Sequence, residues 1–178
     1  MFQFNRPLPR ELRTQRLLLR QWCESDVEPM AQMYAQPEFT EHNPALTLEQ
    51  TRTQIARFME RWASDGIMQW AAEDLASGTL IGRAGLLRQR DWPIGSPPVE
   101  VGWTLHRDWW GRGLATEGGA AAVQCWREHL VSESQLISIT VPDNQRSRAV
   151  MARLGMTLRG ETFWRGREVV WYALDRDA

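Results

Sequence analysis

The chain has 178 residues and no lysine; all 21 of its basic residues are arginine. That absence excludes a Schiff-base or lysine-nucleophile mechanism. The guanidinium groups that remain bind phosphate through paired hydrogen bonds, which suits a polyphosphate ligand. Cysteine is scarce: Cys23 and Cys125 stand outside any Cys-x-x-Cys or Cys/His cluster. A metal site is therefore not expected, and a reducing cytoplasm is the expected compartment. No run of about 18 apolar residues exists, so no membrane span is expected. The opening MFQFNRPLPRELR lacks the apolar core of a signal peptide. The formal net charge of −1 offers no basic surface for nucleic acid.

What is present reads as one ordinary globular domain. Hydrophobic residues make up 43% and charged residues 24%, and a chain of this length buries roughly 70% of its unfolded surface. Arg16–Arg20 (RLLLR) predicts a first strand. Ser25 to Glu28 forms a capping-box pattern that opens a helix through about Ala35. Pro37, Asn43 and Pro44 mark a loop. A second box, Thr47 and Gln50, opens a helix with Leu48, Ile55, Phe58, Met59 and Trp62 at near-helical spacing, ending by Asp65-Gly66. Strands follow at Met68–Leu75 and Leu80–Leu87, joined at Ser77-Gly78. From Val99 to Leu105 residues alternate in character, so this strand has two distinct faces. A helix from Leu114 to about Val131 carries Gly118, Gly119 and Ala120 to Ala122, small enough for close approach to a sheet. Leu136–Val141 is a further strand, Asn144 caps a helix stopped by Gly155, and Thr157 to Leu174 reads as two strands around Arg165-Gly166. The order predicts an α/β (α+β) domain, a sheet with helices on both faces.

The segment Trp109-Trp110-Gly111-Arg112-Gly113-Leu114-Ala115 stands between a strand and a helix. Its glycines let successive N–H groups converge, and the next helix adds free N-terminal amides and a positive dipole end. That combination suits a pyrophosphate, although a lone Gly-x-Gly also serves as a plain turn.

Three ordered segments make the sequence resemble the GNAT superfamily of N-acetyltransferases, in its RimJ/RimL-like branch. They are TQRLLLRQWCESDVEPM, PPVEVGWTLHRDWWGRGLATEG and VPDNQRSRAVMARLGM. The resemblance spans about Arg13 to Leu174. It implies a mixed, mostly antiparallel sheet with central strands splayed, often at a β-bulge, to admit acetyl-CoA. It implies pyrophosphate contacts at Arg112, Gly113, Leu114, Ala115 and Thr116. Backbone pairing with the pantetheine arm would fall on Trp103, Thr104 and Leu105. One departure stands out: the superfamily's Gln/Arg-x-x-Gly-x-Gly/Ala begins here with Trp110.

Acetyl transfer to nitrogen needs a neutral amine, a stabilised oxyanion and a protonated leaving thiolate. At the matching positions Glu100 is either a base or a solvated strand residue. Asn144 caps its helix and also suits contact with the pantetheine arm. Ser147 is either a neighbour of the thiol sulfur or a capping serine, and Tyr172 either a general acid or a core tyrosine. His42, His106 and His129 lack partners at catalytic or metal spacing. In the resembled branch the loop Gln36–Thr47 and the hairpin Phe163–Glu168 shape the amine cleft, where Glu38 and Glu41 would attract a cationic amine. An isolated tryptophan is usually core, and Trp92, in a loop between Asp91 and Pro93, is the one best placed to touch an acceptor. The implied partner is a peptide N-terminus or a small amine, and a homodimer is compatible with the family. Two rivals remain open: a non-catalytic acyl-CoA sensor, and a nucleotide-binding regulatory domain.

Overall fold

A computed structural model of the protein describes residues 7–176. One sheet of eight strands organises it, in the spatial order β1-β2-β3-β4-β5-β6-β8-β7. The strands are β1 (Leu12–Arg13), β2 (Leu17–Arg20), β3 (Trp70–Asp74), β4 (Leu80–Arg88), β5 (Val99–Leu105), β6 (Gln135–Thr140), β7 (Thr157–Trp164) and β8 (Arg167–Asp175). Every neighbouring pair is antiparallel except β5 with β6. The mixed, mostly antiparallel sheet expected from the sequence is thus observed. Its helices are α1 (Val27–Tyr34), α2 (Pro37–Thr40), α3 (Leu48–Ser64), α4 (Leu114–His129) and α5 (Gln145–Arg153).

Alternation in the strands explains the layering. On β4, Ala84 faces α4: a Cβ on Gly118 would come within 3.0 Å of the Ala84 methyl. Arg83, one residue earlier, faces the other way and lies 5.6 Å from the Phe58 ring of α3. The small residues of α4 let it lie close on the sheet, as the sequence suggested, and α3 covers the opposite face. Ile55, Phe58 and Trp62 of α3 are buried, whereas Leu48 and Met59 are exposed, so only three of the five spaced apolar residues face the core. The core joins Trp22 to Phe58 and Trp62 to Trp70, each pair at 5.3 Å between ring centroids. Burying side chains of this size dominates the stability.

Three local expectations are corrected. The box at Ser25 to Glu28 is displaced: a 3-10 turn at Glu24–Asp26 precedes α1, and the Asp26 carboxylate accepts from the Cys23 N–H at 2.9 Å. Arg20 grips the same carboxylate at 2.8 and 2.9 Å. Burial works to raise the Asp26 carboxyl, but these hydrogen bonds outweigh it and hold it below its ordinary range. Pro37, read as a loop marker, starts the short helix α2; proline tolerates a first helical turn, where its missing N–H has no partner to lose. Trp92 is buried against Trp164 and Trp171, at 5.4 and 6.0 Å, in a small cluster with Ile137 and Val169. It packs rather than meeting an acceptor.

Gly82 sets how closely β4 and β5 approach. Its φ is +141°, and a Cβ there would stand 2.1 Å from the Thr104 carbonyl oxygen. Gly82→Ala should therefore destabilise the fold by about 3 kcal/mol or more. Thermal denaturation should show a fall of roughly 10 °C; an unchanged melting temperature would mean that the two strands part freely.

Candidate active site

Parallel pairing between β5 and β6 covers two positions, Val99 with Leu136 and Glu100 with Ile137. Beyond them the strands diverge, leaving backbone groups of β5 without a strand partner on that side. The register of β4 with β5 runs unbroken from Gly82–Leu105 to Arg88–Val99. No bulge in β5 opens the sheet, contrary to the form expected; the pairing simply ends.

Two cavities meet at the gap. A groove of ≈ 1000 Å³ follows the N-terminus of α4, the loop before it and α5. A cleft of ≈ 460 Å³ lies between α3 and the β7–β8 hairpin. Both are lined by His42, Asn43, Trp103, Thr104, Asn144 and Ser147.

The groove is built for an anion at one end. Gly113, at φ +78°, is the residue from which α4 starts, and Gly111 has φ +73°. Two left-handed turns so close together gather backbone N–H groups, and the free first-turn amides of α4 add to them. Gly113, Leu114, Ala115 and Thr116 line the groove. Arg112 does not: its guanidinium stacks 4.9 Å from the Trp109 ring, and its carbonyl accepts from Arg16 Nη1 at 2.8 Å. Glu117, in the first turn of α4, accepts from Thr14 Oγ1 at 2.6 Å, from the Arg16 N–H at 2.8 Å and from Arg16 Nε at 2.7 Å. Arg16 therefore ties the loop and the helix start to β2. Trp110, the departure in the motif, donates its indole N–H to the Leu105 carbonyl at 2.7 Å and lies 4.8 Å from the Arg146 guanidinium. That bond occupies one lone pair of a carbonyl on the open β5 edge.

In the cleft, Glu100 is 8% exposed. Burial pushes its carboxyl up to about 7, against the opposing pull of a hydrogen bond from Gln89 and of the Arg83 and Arg165 charges. At the junction, Asn144 Oδ1 accepts from the Ser147 N–H at 3.0 Å. This cap leaves the Asn144 amide N–H₂ and the Ser147 hydroxyl with no protein partner among the described residues.

Other expectations fare differently. Tyr172 lines neither cavity; it packs in the core, and its hydroxyl accepts from Arg148 Nε at 3.1 Å. Glu38 is ion-paired with Arg107 and lines the groove, not the cleft, while Glu41 lines neither. His42, set aside for want of a partner in sequence, stands at the junction, and its buried Nδ1 has no hydrogen-bond partner. Its place in the Gln36–Thr47 loop was the available signal. Also unforeseen are Arg57 and Arg61 of α3 and Arg83 of β4, which line the cleft.

Residues 16–157 match the model of the acetyltransferase (GNAT) domain. The chain belongs to the GNAT acetyltransferase family. Among solved structures, an acetyltransferase from Agrobacterium tumefaciens is 26% identical, with a TM-score of 0.78 over 92% of this chain and 93% of that one. Ribosomal-protein-S5-alanine acetyltransferase from Vibrio fischeri is similar at 15% identity and a TM-score of 0.75, over 94% and 97%. A microcin C7 self-immunity acetyltransferase, MccE, solved with acetyl-CoA and AMP, is similar at 14% identity and a TM-score of 0.74, over 91% and 93%. The enzyme is an acetyl-CoA-dependent acetyltransferase. Among the described residues no helix is long and apolar enough to cross a membrane.

The groove fits that donor. It offers unpaired backbone on β5 to an amide-bearing arm and converging amides to a pyrophosphate. Acetyl-CoA at a hundred times its Kd should stabilise the fold by about 2.7 kcal/mol. Gly113→Val should weaken that binding at least tenfold, because a β-branched residue resists φ +78° and its bulk keeps the backbone from phosphate. A variant that folds and keeps the full thermal shift would reduce the loop to a turn.

Proposed function

We propose that the enzyme transfers acetyl from acetyl-CoA to a primary amine by direct attack while both substrates are bound. The meeting of groove and cleft at six shared residues, with a buried carboxylate on the adjoining strand face, carries this reading. A donor thioester laid along β5 would reach the junction from one side and an amine from the other.

A covalent acyl-enzyme on cysteine fits poorly. Cys125 is buried in α4, and burial pushes its thiol up to about 12, far from a reactive thiolate. Cys23 lines neither cavity.

Glu100 is proposed as the base. With its carboxyl near 7, a large fraction is ionised at neutral pH, and its remaining basicity is far above that of a free carboxylate. It receives the amine proton directly or through water. Ser147 is proposed to donate its hydroxyl hydrogen bond to the thiol region of the donor, and the Asn144 amide to the pantetheine arm. A free peptide N-terminus and a small amine are both acceptors of the right chemistry. The ribosomal-protein enzyme among the neighbours argues for the former through its fold alone.

The test is Glu100→Gln. An alkyl amine of pKa near 10.4 is only about 0.1% neutral at pH 7.5, an α-amino group of pKa near 8 roughly a quarter. The variant should lose at least about tenfold in kcat at pH 7, less for a peptide N-terminus than for an alkyl amine. The deficit should shrink as pH approaches the amine's pKa. A pH-independent rise in KM alone would make Glu100 an attractor rather than a base. Stability should move oppositely. A carboxyl raised to about 7 is held protonated by the fold, so its favourable contribution is complete below its unfolded pKa and lost as pH rises through about 7. Glu100→Gln should therefore be more stable than the parent at pH 8, by on the order of 2–3 kcal/mol, and equal to it at pH 4.

Ser147→Ala should lower kcat while leaving KM for acetyl-CoA nearly unchanged. Its backbone N–H, which takes the Asn144 cap, survives the substitution. A matching loss of stability and activity would leave Ser147 a structural residue.

A further inference from the structure

The cleft beside Glu100 is lined by five arginines, Arg57, Arg61, Arg83, Arg165 and Arg167, and by one acidic residue. Two of the five are tied to other groups across the cleft. Arg165 grips Asp91 through two contacts of 2.8 Å, and Arg167 donates to the His42 carbonyl. The other three form no ion pair with any carboxylate among the described residues.

Arg57 is exposed and Arg61 half-buried; Arg61 acts on Asp91 and Arg83 on Glu100 through space, without direct pairing. Arg57 and Arg61 are one turn apart on the same side of α3, where like charges repel. Gln54, one turn earlier, faces the same cleft, and its Oε1 is buried with no partner. Arg83 reaches across under the Phe58 ring. It gives one donor to Gln69 Oε1 at 2.8 Å, while its Nε is buried with no acceptor among the described residues. Buried donors are almost always satisfied, so an unsatisfied guanidinium edge in a cleft calls for an external acceptor. Guanidinium groups take planar oxyanions in two parallel hydrogen bonds.

We propose that the acceptor carries, besides its amine, an oxyanion — a carboxylate or a phosphate — bound by Arg57, Arg61 and Arg83. The inference rests on the amine-transfer reading and names the acceptor's class. The amine lies toward Glu100 and the junction, and the anion toward α3. Polyamines and aminoglycosides are excluded, because a second cation would face three unpaired guanidinium groups.

Four acceptors of equal chain length test it: an ω-amino carboxylate, an ω-amino alkyl phosphate, the matching amino alcohol and the diamine. The better of the two anionic amines should exceed the alcohol at least tenfold and the diamine at least a hundredfold in kcat/KM; their ratio tells carboxylate from phosphate. Arg57→Gln and Arg61→Gln, on the exposed side of α3, should shrink the anion-over-alcohol ratio severalfold through KM, and Arg61→Lys should restore part of it. Arg83→Gln should shrink it further, with its melting curve confirming that it folds. A preference for the alcohol, the diamine or a peptide without acidic side chains would overturn the inference, as would arginine variants that slow all acceptors alike. Calorimetry on the CoA-loaded enzyme separates the two readings. Anionic amines that bind but are never acetylated overturn amine transfer and leave the anion site standing; anionic amines that do not bind overturn the anion site itself.

Discussion

The short parallel contact between β5 and β6 is the constraint on which the active site depends. An antiparallel sheet can be continued by hairpins, but a parallel junction needs a crossover, and here α4 supplies it. The crossover places the helix N-terminus just beyond the carboxyl end of β5. In open α/β sheets that position, outside the strand ends, is where ligands settle. Because pairing stops after Glu100, the same junction leaves β5 with unpaired backbone along the groove. One topological choice thus places the start of α4 and an unpaired β5 edge side by side along the groove.

The two faces of β5 divide the labour. Trp103 points toward α4, where a Cβ on Gly119 would approach its ring at 3.4 Å, and so shapes the donor side. Glu100 and Gly102 point into the cleft, where a Cβ on Gly102 would meet Gln69. Alternation along one strand thus sends Glu100 and Gly102 toward the cleft and Trp103 toward α4, while Trp103 and Thr104 line both cavities. The carboxylate sits in a desolvated pocket ringed by cations, and desolvation prevails. Burial sets its raised proton affinity, and Gln89, Arg83 and Arg165 hold that rise back.

Much of the fold was legible because local signals agreed. The Thr47–Gln50 box, the alternation of β5, the Gly-rich start of α4 and the Arg165-Gly166 turn each have a short-range physical cause. The Leu12–Arg13 strand was not legible, since two residues carry no period; it exists only by pairing with β2. Among site residues, the glycine-rich turn that lines the groove follows from the motif. Tyr172 stayed open between two readings because a strand tyrosine looks alike from either face; its contact with Arg148 and its core packing favour the second. The arginines of the cleft were invisible for a related reason. On α3 Arg57 and Arg61 flank the apolar stripe on the side of Gln54, a side that in sequence reads as solvent-facing and that the structure places along the cleft.

The clamp formed by Arg16 and Glu117 has a consequence for the acid side of the enzyme's working range. Burial works to raise the Glu117 carboxyl, but the hydrogen bonds from Thr14 and Arg16 prevail and keep it below its ordinary range. Such a carboxylate stays ionised, and its stabilising bonds stay intact, as pH falls past the point where free glutamates take up protons; they are lost only as pH drops through the lowered value. The phosphate loop hangs from this carboxylate through the Arg16 bond to the Arg112 carbonyl. Acidification therefore protonates the proposed base well before it loosens the loop, and an acid-silenced enzyme would still hold its acetyl donor, ready to resume when the pH recovers.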